Sequence, residues 1–352
     1  MRVRINKDLL VGIIAVILGL LAGALLMLIT GNNPSEGYYY LFAGGLMNLE
    51  RLGNTLAMAT PLILTGLSVA FAFRTGLFNI GTPGQVIIGG LVATIVGLTV
   101  DLPKPMLLTV MMTAALAGGA VWGIIPGLLK AKFNVHEVVS GIMMNWIAYW
   151  ITYYLVPAYF KGSFETESRH IGEAASLKVP WLSSLFAGSY INLGLFLALI
   201  SVFIISIILK ETVLGYQLKA VGFNRHAAEY SGINVNRNIV LSMMIAGALS
   251  GLGGAALYTG YASSIQIGVM PTQGFDGIAV ALLGATSPVG VVGAALFFGI
   301  LQTGKGFMNA MTDIPAEIGD TIIACIIYFA ATSVLIRNLF DHSMKSIIKE
   351  GK

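Results

Sequence analysis

Apolar residues come in long runs along this chain, and polar residues are confined to the breaks between them. The runs fall at about 9–29, 53–73, 84–100, 106–129, 138–157, 191–209, 239–258, 277–303 and 318–336. A helix needs about 20 apolar residues to cross a bilayer, so each run reads as a membrane helix. The pattern predicts an all-α, polytopic bundle forming a single transmembrane domain over 1–352. Small residues recur four apart at Gly119, Gly123 and Gly127, and again at Gly247 and Gly251. That spacing lets helix backbones pack closely.

Nine runs would leave the C-terminal tail on the side opposite the N-terminus. The tail carries Arg337, His342, Lys345, Lys349 and Lys352, and Lys and Arg favour the cytoplasmic side. The interruption Thr286-Ser287-Pro288-Val289-Gly290 removes the conflict. Pro288 has no backbone donor, and the glycine favours a turn. The flanking pieces, about 276–285 and 289–303, then read as two short segments of a hairpin. The expectation becomes about ten membrane segments, with broken or re-entrant helices and both termini cytoplasmic. Arg74 to Gln85 is a second irregular place, either a simple turn or a re-entrant, unwound segment. Irregular backbone at membrane depth is tolerated only inside protein or beside a water-filled cavity. The basic start, Met1 to Lys7, precedes a run too long for a signal-peptide core of about 7–15 residues, so it reads as a retained first span.

Two polar stretches are longer than the rest. By alternation, about 158–190 lies outside, with mixed charges. About 210–238 lies inside and is basic. Within it, Gly215 to Ile233 reads as a polar loop with two turn glycines, placed to dock something on the cytoplasmic face.

Composition narrows the class further. The chain is 56% hydrophobic and 10% charged, against about 25% charged for soluble domains. Its mean hydropathy is +0.84. The net charge of +4 sits in loops and chain ends, so it reflects topology rather than nucleic-acid binding. The single cysteine, Cys325, cannot form an internal disulfide. His136, His170, His226 and His342 lack metal-ligand spacing. Gly299 to Gly306 matches seven positions of a phosphate-binding loop, but Gly306 stands where a magnesium-holding Ser or Thr is needed. The chain therefore reads as a non-enzyme without an ATPase site, catalytic residues or a metal.

Polar groups within or beside apolar runs are costly in lipid and face a bundle interior or pathway. They are Asn79, Gln85, Glu137, Asn145, Asp276, Lys305 and Asp320. Glu137, Asp276 and Asp320 stand where they either cap a helix or serve a pathway. Asn145 and Trp146 lie mid-run; Asn145 either bridges helices or binds substrate. The aromatic rings of Phe78, Trp146, Tyr149 and Phe275 suit either packing or stacking on a flat ligand.

Three blocks carry a family resemblance. Gly76-Leu77-Phe78-Asn79-Ile80-Gly81-Thr82-Pro83-Gly84-Gln85 resembles the Gly-Leu-Phe-Asn-Ile-Gly-x-x-Gly-Gln signature of ABC-importer permeases for ribose-type sugars, branched-chain amino acids and nucleosides. Leu218 to Ala228 is similar to their cytoplasmic coupling loop, commonly Arg-Ala-Val-Gly-Glu-Asn-Pro-x-Ala-Ala. Here Lys219, Phe223 and Arg225 replace the Arg, Glu and Pro. Gly274 to Gly284, with Asn134 to Ala148, resembles the nucleoside branch. The likeness covers about 5–340.

The resemblance implies a bacterial importer in the cell membrane. Two permeases, often non-identical, would form the path. A separate ATPase would bind ATP and Mg, and an extracellular binding protein, a lipoprotein in Gram-positive bacteria, would deliver substrate. Gly222, Asn224, Ala227, Ala228, Gly232 and Ile233 would receive the motor's movement. Phe78, Asn79, Gln85, Glu137, Asn145, Trp146, Phe275 and Asp276 are the pathway candidates. Amides, carboxylates and aromatic faces suit a neutral ribose and base, and no basic cluster awaits a phosphate. The alternatives are a sugar or branched-chain amino acid permease and, in another class, an ion-coupled secondary transporter.

Overall fold

A computed structural model describes residues 7–332, so the basic residues before Lys7 and the tail bearing Arg337 to Lys352 lie outside the described residues. The described residues form helices joined by irregular segments, with no strands among them. Its helices are α1 (Lys7–Ile29), α2 (Pro34–Leu46), α3 (Leu49–Phe73), α4 (Thr82–Thr99), α5 (Lys104–Phe133), α6 (Glu137–Tyr159) and α7 (Pro180–Leu185). There follow α8 (Gly194–Glu211), α9 (Val213–Phe223), α10 (Arg225–Tyr230), α11 (Val235–Ala255), α12 (Thr272–Leu283), α13 (Pro288–Met311) and α14 (Ala316–Ala331). A π-helical turn, Ala256–Tyr261, extends α11. Helix starts are set locally. Asn33, Asn48, Thr212, Asn224 and Asn234 each accept a first-turn N–H, as good caps do. Pro34, Pro83 and Pro288 sit in first turns, where a missing N–H costs nothing.

Among the described residues, seven helices are long and apolar enough to cross a membrane: α1, α3, α4, α5, α8, α11 and α13. The two central ones, α3 and α11, are the most enclosed, and they anchor two halves of opposite sense. α3 runs antiparallel to α13, with Gly299 against Thr55 and Ala59, and Gly66 against Val291. α11 runs antiparallel to α5. A Cβ at Gly119 would meet the Gly247 carbonyl at 2.2 Å, and one at Gly247 would meet the Gly119 carbonyl at 2.2 Å. The glycines four apart are thus the contact between α5 and α11. Each central helix is followed by a break and a helix that packs on the other centre: α4 on α11, and α12 on α3. Inverted halves with interrupted helices recur in membrane transporters.

α1 packs antiparallel on α14, Gly19 against Ile326 and Gly23 against Ile322. The start of α1 and the end of α14 therefore share one face. The turn between α12 and α13 lies there too, because Leu283 abuts Gly12. So do α9 and α10, through Gly222 against Arg74 and Gly76.

Three expectations need correction. The piece read as 289–303 is not short: α13 has 24 residues. The run seemed to end at Gly304-Lys305-Gly306, but Gly304 packs its backbone on Leu41, and Lys305 pairs with Asp320 at 2.5 Å. Neither interrupts the helix. Only α12, at 12 residues or about 18 Å, is too short to cross. Second, α2 lay in no apolar run; it packs on α13 and the residues beyond it through Gly37, Gly44 and Gly45. Third, the polar stretch at about 210–238 is two helices, α9 and α10, split at Asn224. Gly215 and Gly222 lie inside α9, and of the segment's glycines only Gly232 turns, with φ +79°.

Candidate functional site

The break between α3 and α4 is an unwound segment inside the protein, not a surface turn. The chain leaves α3 after Phe73, and Leu77 and Asn79 are buried before α4 begins at Thr82. Its polar groups need partners there, and they find them. Asn79 Nδ2 donates to Gln85 Oε1 (2.9 Å) and to Ser68 Oγ on α3 (3.1 Å), while Gln85 Nε2 donates back to Asn79 Oδ1 (3.2 Å). Ser250 on α11 donates to Ser68 Oγ at 2.8 Å. From α6, Asn145 Nδ2 donates to the Ile80 carbonyl and its Oδ1 accepts from the Gly84 N–H, both at 2.9 Å. Three helices thus hold one break, and an unsatisfied buried group would cost about 1–3 kcal/mol.

The second break brings α12 to the same place. The chain from Ala262 to Pro271 has no helix, and α12 starts against the start of α4. A Cβ at Gly274 would lie 2.5 Å from Pro83, and one at Gly277 would lie 2.6 Å from the Thr65 hydroxyl. Thr65 also donates to the Gln273 carbonyl at 3.0 Å. Two helix N-termini therefore meet at the core of the bundle, the α4 one with its Gly84 N–H held by Asn145.

Around this junction the sequence candidates separate. Asn79, Gln85 and Asn145 form the network itself. Phe275 and Trp146 flank it on α12 and α6, each about half uncovered. Asp276 is buried and turned toward α13, where its Oδ2 accepts from Gln302 Nε2 at 3.0 Å. Phe78 stands edge-on to Phe73, at 5.4 Å between ring centres. Glu137 is elsewhere, at the α5–α6 corner, paired with Lys130 at 3.0 Å. Sequence reasoning passed over Ser68, Ser250, Thr65 and Gln302. Gln302 carried the signal that found Asn145, an amide inside an apolar run; the hydroxyls of Ser68, Ser250 and Thr65 did not, because a helical Ser or Thr can bond its own turn.

The face that carries α9 and α10 connects to the first break. Gly222 at the end of α9 packs on Arg74 to Gly76, and a Cβ there would lie 2.4 Å from the Arg74 carbonyl. Arg74 Nη2 donates to the Thr286 carbonyl in the α12–α13 turn at 2.8 Å. Thr75 bonds Ser242 of α11 at 2.8 Å. Asn224 caps α10 by accepting from Ala227, and Ala228 is buried beneath Ile233, whose N–H returns to the Ala228 carbonyl. Phe223 and Tyr230 stand out from this knob, each 95% exposed.

On the opposite face, the 158–190 stretch pairs with the chain leading into α12. Ser168 donates to the Ile265 carbonyl, Ile267 to Thr166 and Ile171 to Ser263, each at 2.9 Å.

Comparison with known proteins decides the family. The model for the permease component of the branched-chain amino acid transport system matches residues 51–331. The chain belongs to this permease family. Among its relatives is the guanosine ABC transporter permease protein NupP of Bacillus subtilis, 44% identical over 94% of this chain and 95% of that one. The nucleoside ABC transporter permease protein NupB of Lactococcus lactis is 39% identical over 94% and 93%. The glucose ABC transporter permease protein TsgB13 of Haloferax volcanii is 31% identical over 91% and 86%.

Proposed function

We propose that this chain is the transmembrane permease subunit of a bacterial ABC importer for nucleosides, driven by ATP hydrolysis in a separate subunit. The observation that carries this reading is the 44% identity, over nearly the full length of both chains, to a permease named for guanosine. The junction suits such a cargo, because it presents the uncapped start of α12 and aromatic faces without a cationic cluster.

In this reading ten segments occupy the membrane: α1, α3, α4, α5, α6, α8, α11, α12, α13 and α14. The shared face of α1 and α14 is cytoplasmic. Arg74, Lys130, Lys132, Lys219 and Arg225 gather there, in keeping with the positive-inside tendency. The ATPase, with its ATP and Mg, docks on α9 and α10. Gly222, Asn224, Ala227, Ala228, Gly232 and Ile233 shape that contact. An extracellular binding protein docks over 158–190. A second, non-identical permease completes the path beside Phe78, Asn79, Gln85, Asn145, Trp146, Phe275 and Asp276, with Glu137 at its inner mouth. Motor movement reaches the break through Gly222 and the Arg74 to Gly76 backbone, and biases a two-state packing.

Sugar import is the second reading, favoured by the glucose-permease relative. Uptake of radiolabelled guanosine separates them, measured in cells lacking only this chain and in their parent. Other nucleoside carriers are removed from both strains, and excess uridine, ribose, glucose or leucine is the competitor. Loss of uptake in the deletion, with competition by uridine alone, is the expected result. Guanosine uptake that survives the deletion would move the assignment to sugar or amino-acid import.

A further inference from the structure

α6 carries an aromatic ladder on the side that this chain leaves uncovered. Trp146, Trp150 and Tyr153 are 51%, 58% and 47% exposed, and Tyr149 lies among them. Ring centres are 5.5 Å apart for Trp146 and Tyr149, 5.2 Å for Tyr149 and Trp150, and 5.5 Å for Trp150 and Tyr153. Tyr149 and Tyr153 are nearly parallel, at 17°.

A belt at the membrane surface does not explain this placement. α6 has 23 residues, about 34 Å of helix, with Trp146 about 14 Å and Tyr153 about 24 Å from its start. Both lie within about 7 Å of the middle, inside a hydrocarbon core about 30 Å thick. Lipid does not suit them either. Among the described residues, the two indole N–H groups and two phenol hydroxyls have no hydrogen-bond partner. Four unpaired donors on one helix face are costly in hydrocarbon.

A second observation points the same way. The chain from Gly268 to Pro271 passes beside Tyr149, which joins Gly268 and Val269 around a small cleft. It is non-helical, turning at Gly268 with φ +77°, and Gly268 and Val269 are exposed. Among the described residues, Gly268, Val269 and Met270 donate no backbone hydrogen bond. It runs to the start of α12, at the level where α4 also begins. Non-helical backbone at that depth is tolerated only inside protein or beside a water-filled cavity, and Gly268 and Val269 are not inside the protein.

We infer that the α6 ladder and the Gly268–Pro271 backbone form one wall of a water-filled path, where a nucleoside's base stacks on the rings and its ribose hydroxyls bond the free backbone groups. The inference rests on the nucleoside reading for its cargo but not for its water. Base stacking on aromatic side chains tolerates different bases, so the wall suits nucleosides as a class.

The test uses the full complex in cells, with Cys325→Ser as background. Tyr153→Cys is expected to react with a membrane-impermeant charged thiol reagent added outside, and guanosine is expected to slow the reaction. Trp146→Leu and Trp150→Leu are expected to raise KM for guanosine about tenfold, with Trp→Phe at either position close to the parent. No thiol reaction would mean that lipid or protein covers this face, and would overturn the wet wall. Labelling without guanosine protection, with KM unchanged in a parent that imports guanosine, would overturn the stacking role. A parent that imports no nucleoside yet labels at position 153 would remove the nucleoside reading and the base-stacking role, and leave the wet wall standing.

Discussion

At the scale of single residues, Asn145 shows how a polar side chain inside an apolar run becomes a structural tie. Its amide closes a bidentate contact with Ile80 and Gly84, so both of its functional atoms are committed to backbone. Leucine has similar bulk and neither hydrogen bond. Asn145→Leu leaves a carbonyl and an N–H unpaired, each costing about 1–3 kcal/mol. The purified complex should unfold several degrees lower than the parent, with the subunit still inserted; an unchanged Tm would mean that Asn145 does not hold the break. The apolar context alone singled out Asn79, Gln85 and Asn145, because an amide in such a run must have a partner. Ser68 and Ser250 escaped notice because a helical serine can satisfy itself on its own turn, so the sequence gives no sign of a cross-helix bond. Glu137 drew attention for its position, but Lys130 lies just past the end of the preceding run, seven residues before Glu137, and only the corner brings the two together.

At the scale of elements, periodicity and length located the long helices, and composition misled where helices were polar. α2 contains Glu36, Tyr38, Tyr39 and Tyr40, so it does not stand out as apolar, yet its glycines bury it on α13. The inner segment looked like a loop because it is charged and glycine-rich. What the sequence could not show is that Gly222 serves close approach within a helix. Gly222→Val should push α9 off the Arg74 to Gly76 backbone. We expect nucleoside uptake to be lost while the complex, purified intact, still hydrolyses ATP. Uptake at the parental rate would mean that this contact does not carry the motor's movement.

At the scale of the whole molecule, the two inverted halves put both breaks at one level, and each break is tied to a different face. The first is tied through Gly222 to the face that carries α9 and α10. The second is tied to the opposite face, because the chain entering α12 pairs with 166–171. Alternation of polar and apolar runs placed the long helices but not this arrangement, since it depends on contacts between residues about 100 to 200 positions apart. If transport requires α12 to shift against the outer stretch, fixing the two together should arrest the cycle. Glu167 and Gln266 form an isolated antiparallel bridge, flanked by the hydrogen bonds of Thr166 with Ile267 and of Ser168 with Ile265. That makes them a non-hydrogen-bonded pair with Cα atoms about 4.5 Å apart, within the range a disulfide accepts. With Cys325→Ser removing the native thiol, the double variant Glu167→Cys/Gln266→Cys should lose uptake on oxidation and regain it on reduction. Each single variant should transport under both conditions. Full transport by the oxidised double variant, with the cross-link verified, would mean that the outer pairing stays closed throughout the cycle and that the inner break alone does the switching.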